Sequence, residues 1–191
     1  MGLDHYVYRM KQIGKKTLLQ LNGKKEDDFD YHEYLILDKD YVDDNPSMYK
    51  DIMTILRPIQ IVKEYVNMDL IRKDNNIPED WHLGLRSYGE DITYGFYGRD
   101  HQSKQVHLTV EQHKKYEYSE LVDSYICYCT EVHYMRKEYD IQDAMYELHD
   151  GDIQNCGYYH MSEEMIDKLN ELSGRKVLDE SATNLYYHEW Y

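Results

Sequence analysis

Ser119-Glu-Leu-Val-Asp-Ser-Tyr-Ile-Cys-Tyr-Cys-Thr-Glu-Val-His-Tyr-Met-Arg-Lys-Glu-Tyr-Asp-Ile-Gln-Asp-Ala-Met-Tyr-Glu-Leu-His149 is the stretch whose period decides the fold. Leu121, Tyr125 and Tyr128 recur at helical spacing, and Val132, Met135, Tyr139, Met145 and Leu148 extend the stripe until Asp150-Gly151-Asp152 stops it. The spacing predicts one long helix over about 119–149.

Upstream of it, His82–Tyr88, Ile92–Tyr97 and Gln105–Val110 alternate over short runs separated by Gly89-Glu90-Asp91 and Gly98-Arg99-Asp100, which predicts an antiparallel meander. Downstream, Tyr158–Met161 reads as a short strand. Ser162 is then an N-cap followed by Glu163 and Glu164, and Met165, Ile166, Leu169 and Leu172 form the buried stripe of a C-terminal helix over about 163–173. Residues 3–9 read as an opening strand, hairpinned through Gly14-Lys15-Lys16 to a second strand over Thr17–Leu21. Tyr31–Leu37 is a further strand, and Asn45-Pro46-Ser47 starts a short helix that Pro58 ends. Both periods fit 59–72, and the helix is preferred. The expected class is α+β: antiparallel sheet and hairpins packed with the two helices in a single domain, 1–191, carrying an inserted hairpin region at 80–118.

Composition narrows the function. No 18-residue apolar window and no leader pattern is present, and the odd number of cysteines, three, points to a reducing cytosol. The net charge of −15 is concentrated in two blocks. Residues 26–51 hold ten acids against Lys39 and Lys50, and residues 111–164 hold thirteen against Lys114, Lys115, Arg136 and Lys137. Such a chain disfavours a phosphate backbone and favours a basic partner. Tyrosine is over-represented at 22 against two Phe and two Trp. A rich A·T genome would raise Phe as well, so the hydroxyl itself is selected, as suits interfaces and half-buried sheet faces.

Candidate chemistry is sparse. Cys127 and Cys129 with His133 fall near one another, but one intervening residue is not the usual zinc spacing, and on a helix the two thiols would point apart; they read as core cysteines, and no metal is expected. His149, Asp150 and Asp152 cluster at a helix end as ordinary turn chemistry. No nucleophile elbow, phosphate loop, dinucleotide fingerprint or H-E-x-x-H is present, so neither catalysis nor a cofactor is expected. Arg136 and Lys137, the basic pair of the helix, either grip an anion or pair with Glu131, Asp140 or Asp143 across helical turns, the latter preferred.

The opening Met1-Gly2-Leu3-Asp4-His5-Tyr6-Val7-Tyr8, the segment Glu131-Val-His-Tyr-Met-Arg-Lys137 and Asn155-Cys-Gly-Tyr-Tyr159 resemble a family of small phage and prophage proteins. Those begin Met-Gly-Leu-Asp, carry a Tyr-aromatic-Arg-Lys helix and follow it with a Cys-Gly-Tyr-Tyr strand. The likeness covers the N terminus and roughly residues 130–173, and it implies phage origin. The family helix continues with Asn, His and Trp where this chain has Tyr139, Gln142 and Ala144.

These readings converge on an acidic inhibitor acting in the bacterial host cytoplasm. It would block the basic nucleic-acid-binding surface of a host defence protein, in the manner of anti-CRISPR or anti-restriction proteins. Acids would steer and tyrosines anchor, with Asp27, Asp28, Asp30, Asp43 and Asp44 as contacts in the first block and Glu138, Asp140, Asp143 and Glu147 in the second. The alternatives are a nucleotide sponge, with Arg136, Lys137 and Tyr139 holding the ligand, and a phage accessory protein of another role.

Overall fold

The computed structural model describes residues 3–89, 91–174, 176–178 and 184–190. Glu90 of the expected 89–91 turn and Tyr191 of the aromatic tail lie outside the described residues. In chain order the elements are β1 (Asp4–Lys11), α1 (Lys15–Leu21), a 3-10 turn (Glu26–Asp28), β2 (Tyr34–Asp38), α2 (Lys39–Asp44), α3 (Pro46–Tyr49), β3 (Arg57–Val66), α4 (Met68–Asp74) and β4 (His82–Tyr88). There follow β5 (Asp91–Tyr97), β6 (Ser103–Thr109), α5 (Val110–His113) and a second 3-10 turn (Lys114–Tyr116). The chain then runs through β7 (Glu117–Arg136), α6 (Tyr139–Leu148), β8 (Tyr158–His160), α7 (Glu163–Leu172) and β9 (Leu185–Trp190). The class is α+β, as its composition of strands and amphipathic helices predicts.

The expected long helix over 119–149 is corrected: residues 117–136 form a 20-residue strand, and only Tyr139–Leu148 is helical. The apparent helical stripe arises because much of β7 is covered on both faces. Ile126 packs into one cluster and Cys127 and Cys129 into another, so apolar residues run on without the alternation of a half-buried strand. Leu121, the first residue of the supposed stripe, is 62% exposed. Arg136 and Lys137 accordingly leave the helix. Arg136 ends β7, and Lys137, with φ 60°, makes the left-handed turn into α6. Lys15–Leu21 is helical rather than a strand, because Leu18 and Leu21, one turn apart, pack into the same cluster. β1 therefore has no hairpin partner beside it in sequence; it pairs with β7 and β9. Residues 59–72 divide into a strand and a helix. Ile59 and Ile61 point together into the core at period two, and the Asn67 side chain caps α4 by accepting from Leu70 N.

The fold divides into two compact units, the first made of residues 1–61 and 121–191 and the second of Val62–Glu120. The hairpin region expected at 80–118 falls inside the second, which begins earlier. That unit is the antiparallel sheet β4-β5-β6 with Tyr94, Phe96, Val106 and Leu108 packed against Ile71 and Tyr116.

In the first unit the sheet order is β2-β7-β1-β9-β8, with β3 also on β7. Strand neighbours point to opposite faces, and the core follows that rule. On one face Val7, Met135, Tyr159 and Tyr187 meet Ile141 and Met145 of α6 and Met165, Ile166 and Leu169 of α7. On the other, Met10, Tyr158 and Tyr186 meet Val42 of α2, Met48 and Tyr49 of α3, and Ile52. A Cβ at Gly157 would lie 2.3 Å from the hydroxyl of the fully buried Tyr159, so Gly157→Ala is expected to destabilise by about 1–3 kcal/mol in urea denaturation. Among the described residues no helix is long and apolar enough to cross a membrane.

Candidate functional site

Asp4, Tyr6 and Tyr8 alternate along β1 and share the face of the sheet opposite α6 and α7. Their direct partners stand on the same face: Arg136, Tyr134 and Glu131 on β7, and Trp190, His188 and Tyr186 on β9. A bulge between Val7 and Tyr8 keeps Glu131, rather than Val132, beside Tyr8. The helices α2 and α3 cover the Tyr186 end of this face through the cluster around Met10, while the Asp4 end stays in reach of solvent. Tyr134 is 44% and Trp190 59% exposed.

The result is a continuous aromatic platform. The Tyr6 ring centre lies 5.1 Å from Tyr134, 5.6 Å from Tyr8 in a stacked pair, and 5.9 Å from His188. His188 in turn stacks on buried Tyr158 at 4.3 Å and donates from Nδ1 to the Gly157 carbonyl, 2.9 Å away, which fixes its ring. With a carbonyl as partner, that nitrogen carries the proton. Burial lowers the His188 pKa, which favours the neutral ring.

Carboxylates edge the platform. The Tyr134 hydroxyl donates to Asp4 Oδ1 at 2.7 Å, and this bond raises its pKa. Partial burial raises the Tyr6 pKa, and the negative charges of Asp4 and Glu131 raise it further. Tyr8 is raised by burial, with Glu131 again contributing. The rings thus sit in a negative field. Arg136 is the cation on this strand register, its Nε 3.8 Å from Asp4 Oδ1, beyond hydrogen-bond reach, with the side chain 64% exposed.

A second polar group lies beneath the opposite face. His5 Nδ1 is 2.5 Å from the Tyr187 hydroxyl, which donates to Glu189 Oε2 at 3.3 Å, and Gln142 of α6 donates to the same oxygen at 3.2 Å. Burial lowers the His5 pKa to about 4 and raises that of Glu189. His5 and Tyr187 are fully buried and Glu189 nearly so, so this chain ties strands to helix rather than meeting a substrate.

The acids singled out in the sequence do not form one face. Asp43 and Asp44 end α2 on the platform side, where Lys39 and the Tyr125 hydroxyl engage Asp43 and lower its pKa. Asp140, Asp143 and Glu147 lie on α6, with Glu138 as its N-cap residue, and α6 covers the other face. Glu147 joins Glu164, Asp167 and Glu171 in lining a groove of about 980 Å³ with Lys168 and Lys176. Asp27, Asp28 and Asp30 flank buried Phe29, whose cluster includes Ile126 and so lies opposite the Cys127 side. Arg136, Lys137 and Tyr139 fall on a strand end, a turn and a helix start. Cys127 and Cys129, one residue apart on a strand, share a buried side, and burial pushes both thiols up to about 12. No group of three or more His, Cys, Asp or Glu side chains is arranged to hold a metal among the described residues.

Sequence reasoning missed Asp4, Tyr6, Tyr8, Glu131, Tyr134, His188 and Trp190 as a set. The signal was an every-second-residue pattern, Asp4-x-Tyr6-x-Tyr8, Tyr134-x-Arg136 and Tyr186-x-His188-x-Trp190. The chain matches no family model, no curated protein and no solved structure, so its own geometry carries the functional reading.

Proposed function

We propose that the protein is a binding module that uses the Tyr6–Tyr134–Trp190 sheet face to hold a basic protein partner, occupying a surface on which that partner would otherwise receive nucleic acid. The carrying observation is the exposed aromatic platform with Asp4 and Glu131 at its edges. Tyrosine and tryptophan supply large contact area at small entropic cost, and neighbouring carboxylates select a cation over a phosphate. The first unit holds 26 acids against 14 bases, the second 11 against 8, so the long-range field that steers a basic partner arises on the unit that carries the platform. With the phage-like opening and the bacterial cytosol as its setting, inhibition of a nucleic-acid-binding defence protein is the specific form of this reading. A nucleotide ligand is less well supported, since its phosphates would meet Asp4 beside Arg136.

Capture from nuclease-treated bacterial lysate on the tagged chain, beside Tyr6→Ala/Tyr134→Ala, tests it. A basic nucleic-acid-binding protein should be retained at low salt, released at high salt, and absent from the double variant. An identical set of captured proteins on both would overturn the assignment.

A further inference from the structure

Resting on the binding reading above, we infer that the partner group received by the platform is arginine rather than lysine, and that Arg136 of this chain is its internal competitor. A guanidinium is planar: it can lie flat on a tyrosine ring while its edge N–H groups reach a carboxylate beside that ring, and it gives up water more readily than an ammonium. The platform offers that combination. Tyr6 is surrounded at 5.1–5.9 Å by Tyr134, Tyr8 and His188, with Asp4 two residues before it on the same face and Glu131 opposite Tyr8. An ammonium could meet one carboxylate as a point charge, but would leave the neighbouring rings without a matching flat surface.

Arg136 marks the way in. It stands directly across the ladder from Asp4, yet its Nε is 3.8 Å from Oδ1, and it is the Tyr134 hydroxyl that makes the close contact at 2.7 Å. The chain's own guanidinium thus neutralises Asp4 loosely, at the exposed end of the platform. An incoming arginine would lie over the rings and displace Arg136 outward from Asp4.

Fluorescence anisotropy with labelled octa-arginine and octa-lysine peptides, titrated with the full chain, tests this. The arginine peptide should bind about five- to tenfold more tightly. That preference should disappear in Tyr6→Leu/Tyr134→Leu and shrink in Trp190→Leu, the last being 59% exposed and removable without touching the core. Arg136→Gln should tighten the arginine peptide more than Lys168→Gln, which changes net charge equally on α7. Equal affinity for the two peptides, with both lost from the double variant, would overturn the arginine assignment and leave the basic-partner reading standing. Binding of both peptides at wild-type strength by the double variant would overturn both. Weaker binding by Arg136→Gln than by Lys168→Gln would overturn the competitor role.

Discussion

Tyr187→Ala is expected to destabilise the first unit by about 3–5 kcal/mol, the range for deleting a large buried ring. Tyr187 is fully buried between β1 and β8, in the cluster of Val7, Met145, Tyr159 and Leu169. Two effects add in alanine: the cavity left by the ring, and the loss of the hydroxyl that links His5 to Glu189. Tyr187→Phe separates them. It keeps the ring and removes only the link, leaving His5 without its Nδ1 partner when Nε2 already has none. About 1–3 kcal/mol is expected for that variant. Equilibrium urea denaturation of the two checks both, and a phenylalanine variant as stable as wild type would show that the buried chain of hydrogen bonds contributes nothing net.

Acid lability is the second large effect, and its sign follows from His5. The ordinary histidine value is 6.5, and burial lowers it to about 4 in the folded chain. Between those values the unfolded chain takes up a proton that the folded chain refuses, so stability is full above pH 6.5 and falls as the pH drops towards 4. The loss at pH 4 amounts to about 3 kcal/mol from this residue. His188, also lowered by burial, acts in the same direction. Glu189 opposes them, because its raised pKa makes the folded chain the better proton acceptor as pH falls through that value. His5→Gln retains a hydrogen-bonding side chain without titrating there. Its urea midpoint should therefore fall less steeply than wild type between pH 6.5 and 4, and parallel profiles would refute the role given to His5.

The local signals that were legible are those with short-range causes. Ser162 accepts from Met165 N at the start of α7, Gly174 closes it with φ 64°, and the three strands of the second unit fall where glycine-rich turns separate alternating runs. The failures share a physical origin in tertiary burial. β7 between two layers loses the alternation that would identify a strand, and one misassigned element then placed Arg136 on a helix among Asp140 and Asp143 instead of across from Asp4. The platform was illegible for the same reason. Its residues come from positions 4–8, 131–136 and 188–190, and only the pairing of β1 with β7 and β9 makes them neighbours. Charge counting found the acidity, but acids next in sequence need not be next in space. Asp44 and Asp140 cover opposite faces because Val42 and Ile141 pack on opposite sides of the sheet.

The position of β1 also sets a timetable. It leaves the ribosome ahead of the other described strands, yet it is flanked by β7 and β9, whose paired residues are more than a hundred positions later in the chain. Until Leu185–Trp190 has been made, one edge of β1 has no partner, and Val7 and His5 lack the Tyr187 side of their packing. Closure of such distant contacts is slow, in the millisecond-to-second regime typical of non-local sheets. For the nascent chain, the strand bearing Tyr6 and Tyr8 therefore keeps an open edge until Leu185–Trp190 emerges, and that interval is when it is most prone to pair with the wrong partner.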